Sequence, residues 1–115
     1  MREFKKAFVS MPYSTTDEAV KRARVIMAKQ FCNRIANEGY SPLCPVLVAE
    51  SMTEYNPKFG EDFSYDDWLN FSLTYLKGCD LMYILRLTGW EESVGVKAEI
   101  ELANQLGIEI VMVDR

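Results

Sequence analysis

At 115 residues the chain has the length of one ordinary domain, 1–115, and its 49% apolar composition suffices for a modest core. A formal charge of −4 and a pI of about 4.8 argue against a nucleic-acid polymer as partner, because phosphate backbones are bound by clustered Lys and Arg. Histidine is absent, which removes Ser-His-Asp and Cys-His catalysis and most zinc sites, so neither a metal nor a cofactor is expected.

Lys6 to Met11 reads as a buried strand behind a charged lead-in. Its apolar run is short and lacks a small-residue cleavage site, so it is not read as a signal peptide. All apolar runs are too short to span a bilayer, and the expected location is the cytoplasm, with no membrane partner. Thr15 followed by Glu18 fits a capping box, and a helix is expected from Asp17 to Asn37 with Val20, Ala23, Met27, Phe31 and Ile35 as its apolar stripe. The basic run Lys21 to Lys29 within it reads as a solvated face. Gly39 sits where a helix-ending glycine belongs.

Pro42 and Pro45 make a central strand implausible but allow an edge strand at Tyr40–Cys44. Ser51 to Ser64 is polar, broken by Pro57 and Gly60, and reads as a long loop. Residues 50–62 would then be a lid carrying Glu54 or Tyr55. A second helix follows, with Trp68, Phe71, Ser72, Tyr75 and Leu76 on one stripe, and Trp68 is read as core. Asp80 to Leu87 is the clearest strand, apolar on both faces as in a covered parallel sheet. The last helix is expected from Ser93 to Leu106, closed by Gly107, before a final strand, Ile108–Val113.

This alternation predicts an α/β three-layer sandwich with a mainly parallel sheet of four to five strands in the flavodoxin-like, Rossmann-like order 2-1-3-4. In such sheets a ligand binds beyond the carboxyl ends of the strands, where strand order reverses. The segments expected there are Met11–Thr15 and Thr88–Gly95.

Glu99 is out of place. It shares a helix face with Leu102, Ala103 and Leu106, which should be buried, whereas Glu101 falls on the side of Lys97 and Asn104. A half-buried carboxylate costs free energy unless it is paired or has work to do. Pro12, Tyr13 and Ser14 follow the first strand at the expected crevice. Tyr13 could stack on a ring or donate its hydroxyl. Ser14 could hold a phosphate or cap the helix, and the backbone amides around it could bind an anion. Gly89 and Trp90 precede Glu99, the Trp either stacking on a ligand or covering the core edge. Arg86 could reach a phosphate or a carboxylate, or extend to the edge of its strand. Cys32, Cys44 and Cys79 lack metal-type spacing and read as buried reduced thiols.

The stretch Gly95–Ile110, preceded by Cys79–Leu85, resembles the nucleoside 2-deoxyribosyltransferase superfamily, which includes the nucleotide N-glycosidases. The resemblance rests on Gly95 with Glu99 four residues later, Ala103 as a small residue and Gly107 closing the helix. It extends to Phe8–Ser14 and Gly39–Leu47. It implies that Glu99 attacks the anomeric carbon of a ribose or deoxyribose, that the base leaves, and that water or a second base resolves a glycosyl-enzyme. It also implies a nucleoside or nucleotide ligand and a homodimer or higher homo-oligomer. The sequence departs from the family at two points. Ser72 stands where many active members carry an aspartate on the second helix, and Phe8 matches a first-strand tyrosine of some members. Asp66 and Asp67 could replace the missing acid, or serve as first-turn residues that suit the helix dipole. Two functions follow as expectations: cleavage or transfer at an N-glycosidic bond, with Glu99 and Asp67 catalytic, or a non-catalytic nucleotide-binding protein on the same fold.

Overall fold

The computed structural model describes residues 1–114. Strand β1 (Lys5–Ser10) leads into α1 (Glu18–Asn37), β2 (Tyr40–Leu43), α2 (Pro45–Tyr55), α3 (Tyr65–Leu76) and β3 (Leu81–Leu85). A single 3-10 turn (Trp90–Glu92), α4 (Val94–Leu106) and β4 (Glu109–Val113) complete the chain. The sheet has the order β2-β1-β3-β4, and every pair is parallel. This is the α/β architecture and strand order expected from the alternation of elements.

Strand periodicity of two divides the core into two layers. Ala7 and Val9 face one side with Ala28, Phe31 and Ile35 of α1. Phe8, Met82 and Ile84 face the other with Leu76 of α3 and Val96 and Ala103 of α4. Ser10 continues the Phe8 face at the carboxyl end of β1 and is 1% exposed. β2 is an edge strand, which is where Pro42 can sit without breaking a ladder. Among the described residues no helix is long and apolar enough to cross a membrane.

Four local expectations need correction. Residues 45–55 form a helix, which fills the stretch after the edge strand expected to end at Cys44 and replaces the start of the loop expected from Ser51. Pro45 opens it, because at the first helical position its missing N–H would be unpaired anyway and its fixed φ suits the helix. The cap of α1 is Asp17, whose carboxylate accepts from the amides of Ala19 and Val20. Thr15 instead accepts from the Asp17 amide, so the expected Thr15–Glu18 box does not form. The buried stripe of α1 is Arg24, Val25, Ala28, Phe31 and Ile35, with Val20 and Ala23 exposed. On α4, Leu106 is exposed as the helix's last residue, while Ala103 is buried and Leu102 half-buried.

Candidate functional site

A cleft of about 1070 Å³ opens beyond the carboxyl ends of β1 and β3, where strand order reverses. This is large enough for a small-molecule ligand. The segment after β1 lines it with Met11, Pro12, Tyr13 and Ser14, and the segment after β3 with Thr88 and Gly89. Glu92 to Gly95 and Glu99 bring in the start of α4. Pro45, Val46, Ala49 and Thr53 of α2 form another wall. The last wall is aromatic: Phe59, Tyr65, Trp68 and Phe71, with Ser72 beside them.

Glu99 lies at the buried side of this cleft, 7% exposed. α4 begins at Ser93, whose hydroxyl accepts from the Val96 amide, and this sets the face on which Glu99 turns inward. The Ser10 hydroxyl donates to Glu99 Oε1 at 2.6 Å. Burial pushes the carboxyl from its ordinary 4.5 up to about 7, while the Ser10 hydrogen bond acts against that rise. Among the described residues no ion pair compensates Glu99. A group in this state exists in both protonation forms near neutral pH, which suits a nucleophile or an acid–base catalyst. Ser10 was not singled out from the sequence. Its signal was the alternation that puts it on the Phe8 face, under α4.

Tyr13 does not offer a free hydroxyl. It donates to Glu50 Oε2 of α2 at 2.7 Å, and burial together with that carboxylate raises its pKa well above the ordinary phenol value. Lys21 Nζ stands 5.3 Å from the Tyr13 ring centroid. Ser14 lines the cleft but does not cap α1; Asp17 occupies that role and takes two of the first amides, so they are not open to an anion. Gly95 lines the cleft, and a side chain there would meet only Ser93 Oγ at 3.9 Å, so its bareness leaves room for a ligand.

Arg24, read from the sequence as part of a solvated face, is buried and lines the cleft. Its guanidinium donates to the carbonyls of Tyr13 at 3.2 Å, Ser14 at 3.3 Å and Thr88 at 2.6 Å. One side chain therefore ties the loop after β1 to the loop after β3. Gly89 has φ +90°, and a Cβ there would stand 3.1 Å from Arg24 Nη2. The turn thus needs glycine both for its backbone and for the Arg24 approach. Arg24→Met is expected to leave these carbonyls short of a donor and to lower stability by roughly 2 kcal/mol; thermal denaturation beside Arg24→Lys checks it, and equal midpoints for wild type and Met variant would refute the clamp.

Asp67 and Trp90 are placed elsewhere. The Asp67 carboxylate accepts from the Ser64 amide at 2.9 Å and its own amide donates to Ser64 Oγ at 3.1 Å, a complete capping box for α3. Asp67 does not line the cleft. Asp67→Ala is therefore expected to cost about 1 kcal/mol of stability through the lost cap, with ligand binding in the cleft unchanged; denaturation and a binding titration on the same variant separate the two effects. Trp90 packs against the α3–α4 side of the core and covers it. Trp68, expected in the core, is half-buried and forms cleft wall instead. Its ring lies 6.0 Å from Phe59 and 6.0 Å from Phe71, both near perpendicular. Glu54 and Tyr55 are exposed and do not line the cleft; Thr53 and Phe59 are what that segment contributes. Arg86 pairs with Asp114 at 2.7 Å, which accounts for its charge without a ligand.

Residues 5–115 match the family described as "Domain of unknown function (DUF1937)". No curated protein matches the chain.

Proposed function

We propose, from the premise that this chain belongs to the DUF1937 family, that the cleft binds a nucleoside or nucleotide and that Glu99 acts as nucleophile in cleaving or transferring its N-glycosidic bond. The observation that carries this reading is a desolvated, unpaired carboxyl held by one hydroxyl inside a ligand-sized cleft. The aromatic wall of Phe59, Trp68 and Phe71 offers faces and edges against which a planar base can rest. The chemistry needs no histidine, in agreement with the composition.

The ionised Glu99 would attack C1′ as the base departs through an oxocarbenium-like transition state, and water or a second base would resolve the glycosyl-enzyme. Ser10 orients the carboxylate by occupying Oε1. The test is a pooled assay. Purified protein is incubated with nucleosides, nucleoside monophosphates and NAD, and the filtrate is read for free base. Base released by wild type and not by Glu99→Gln supports the reading; intact substrates throughout would sink it.

A second reading, a nucleotide-binding protein without turnover, is favoured by one observation: Asp67, the nearest replacement for the family acid absent at Ser72, is engaged in the α3 cap. In the same assay it would show as one compound depleted from the filtrate with no base released. The proposal extends to a cytoplasmic homo-oligomer. Tyr65 and Val94 line the cleft yet are 62% and 58% exposed, apolar surface that a second copy would cover. Sedimentation is expected to show a dimer or larger species, and a monomer at micromolar concentration would count against it.

A further inference from the structure

We propose that Glu92 is the general acid of this cleft, the carboxylic acid that protonates the departing base while Glu99 attacks the sugar. The inference rests on the N-glycosidase reading above. A nucleobase leaves slowly as an anion, so the reaction needs a proton donor on the base side of the sugar.

Among the described residues, the titratable and cationic side chains that line the cleft are Tyr13, Arg24, Tyr65, Glu92 and Glu99. Glu99 is committed to the sugar. A guanidinium keeps its protons at any physiological pH. The Tyr13 hydroxyl already donates to Glu50. A phenol such as that of Tyr65 is ordinarily a weaker acid than a carboxylic acid by about six pH units. Asp67 is in the α3 cap and off the cleft. Glu92 is what remains, and it is the second carboxylate of the cleft wall.

Local structure explains why Glu92 and not its neighbour faces the ligand. Gly89, at φ +90°, turns the chain out of β3. Trp90 then packs against the core and anchors the 3-10 turn. The Glu92 amide donates to the Gly89 carbonyl at 3.2 Å and the Ser93 amide to the Trp90 carbonyl at 3.3 Å, so the turn is closed on itself. Glu92 lines the cleft and Glu91 does not. Ser93 caps α4 directly afterwards, and α4 carries Glu99. One continuous segment thus presents both carboxyls, Glu99 buried and Glu92 exposed at the open side.

The step balances on these groups alone. A Glu99 oxygen bonds to C1′ as the C1′–N bond breaks; the electron pair goes to the base nitrogen, which takes the Glu92 proton. Water then attacks C1′ and gives its proton to the Glu92 carboxylate, while the C1′–O bond breaks and its pair returns to Glu99. Both residues end as they began.

The test compares leaving groups. Wild type, Glu92→Gln, Glu91→Gln and Glu99→Gln are assayed on the eight common ribo- and deoxyribonucleosides, their monophosphates, and 4-nitrophenyl β-ribofuranoside and its 2-deoxy analogue, whose phenolate departs without a proton. Glu92→Gln is expected to lose about 10²- to 10⁴-fold in kcat/KM on the natural substrates. It should stay within about threefold of wild type on the nitrophenyl glycosides. Glu91→Gln should resemble wild type on both. Equal losses on both substrate classes, or none on either, would overturn the role of Glu92 while leaving the glycosidase reading intact. Cleavage of nitrophenyl glycosides alone by wild type would mean that the cleft holds no acid. No cleavage of any substrate by wild type would remove the glycosidase reading, and Glu92's role with it.

Discussion

Replacing Glu99 by Gln is expected to reduce base release by at least about 10³-fold, the scale felt when a group that acts in the transition state is removed. The substitution keeps the shape of the side chain, and the new amide oxygen can still accept from the Ser10 hydroxyl that now reaches Oε1. What is lost is the negative charge and the lone pair that attacks C1′. Substrate affinity should change little, so the loss belongs in kcat rather than KM. The pH profile gives an independent check. A nucleophile must be ionised, and this carboxyl ordinarily ionises near 4.5 but is pushed up to about 7 by burial. The free-enzyme profile, kcat/KM, taken on a nitrophenyl glycoside whose leaving group needs no proton, should therefore rise with pH and level off above about 7. A rate already flat from about pH 5 upward would mean that another group attacks or that the carboxyl is not desolvated. Ser10→Ala removes the one hydrogen bond that favours the ionised form, so the rising limb should move to higher pH.

The strand order and the position of the crevice were legible because they follow from repeated local patterns. β3 is apolar on both faces, α4 ends at Gly107, and the alternation of elements permits few topologies. Glu99 was legible for the same reason: a charge at a position that helical period reserves for the core is visible without any structure. Arg24 was not. It sits among Lys21, Arg22 and Lys29 on a helix, where period and composition both point to solvent. Its acceptors come from residues 11 and 10 positions before it and 64 after it in the chain, so only the folded sheet reveals the clamp. α2 lay between these cases. Its proline was weighed as a strand breaker when the same residue at a first helical position is a helix start. The role of Asp67 was also written in the sequence, as Ser64 followed three positions later by an acid, which is the capping-box spacing. The box expected at Thr15 does not form because the helix starts two residues later, at Asp17, whose carboxylate accepts from the Ala19 and Val20 amides, while Thr15 accepts from the Asp17 amide. Local signals of this kind identify the chemistry available at a helix start but not which of two neighbouring caps wins.

Glu99→Gln should also stabilise the ligand-free protein, and the gain should depend on pH. The unfolded chain exposes Glu99 to water, where it ionises near its ordinary 4.5; the folded chain holds it at about 7. Between those values the folded state binds more protons than the unfolded one, so stability falls as pH rises through this window. Below about 4.5 the carboxyl is protonated in both states and costs nothing. Above about 7 it is ionised in both, and the full desolvation cost of roughly 3 kcal/mol is present. Glutamine never ionises. The variant should match wild type near pH 4 and exceed it at about pH 8 by on the order of 10 °C in Tm for a chain of this size. Thermal denaturation of both proteins across that range decides it. A constant difference in Tm at all pH values would mean that the variant acts through packing, and a wild type more stable at high pH would mean that the carboxylate has a cationic partner. Either result would also weaken the functional reading, because a carboxylate that carries no desolvation cost in the resting site has less free energy to release when it bonds to carbon.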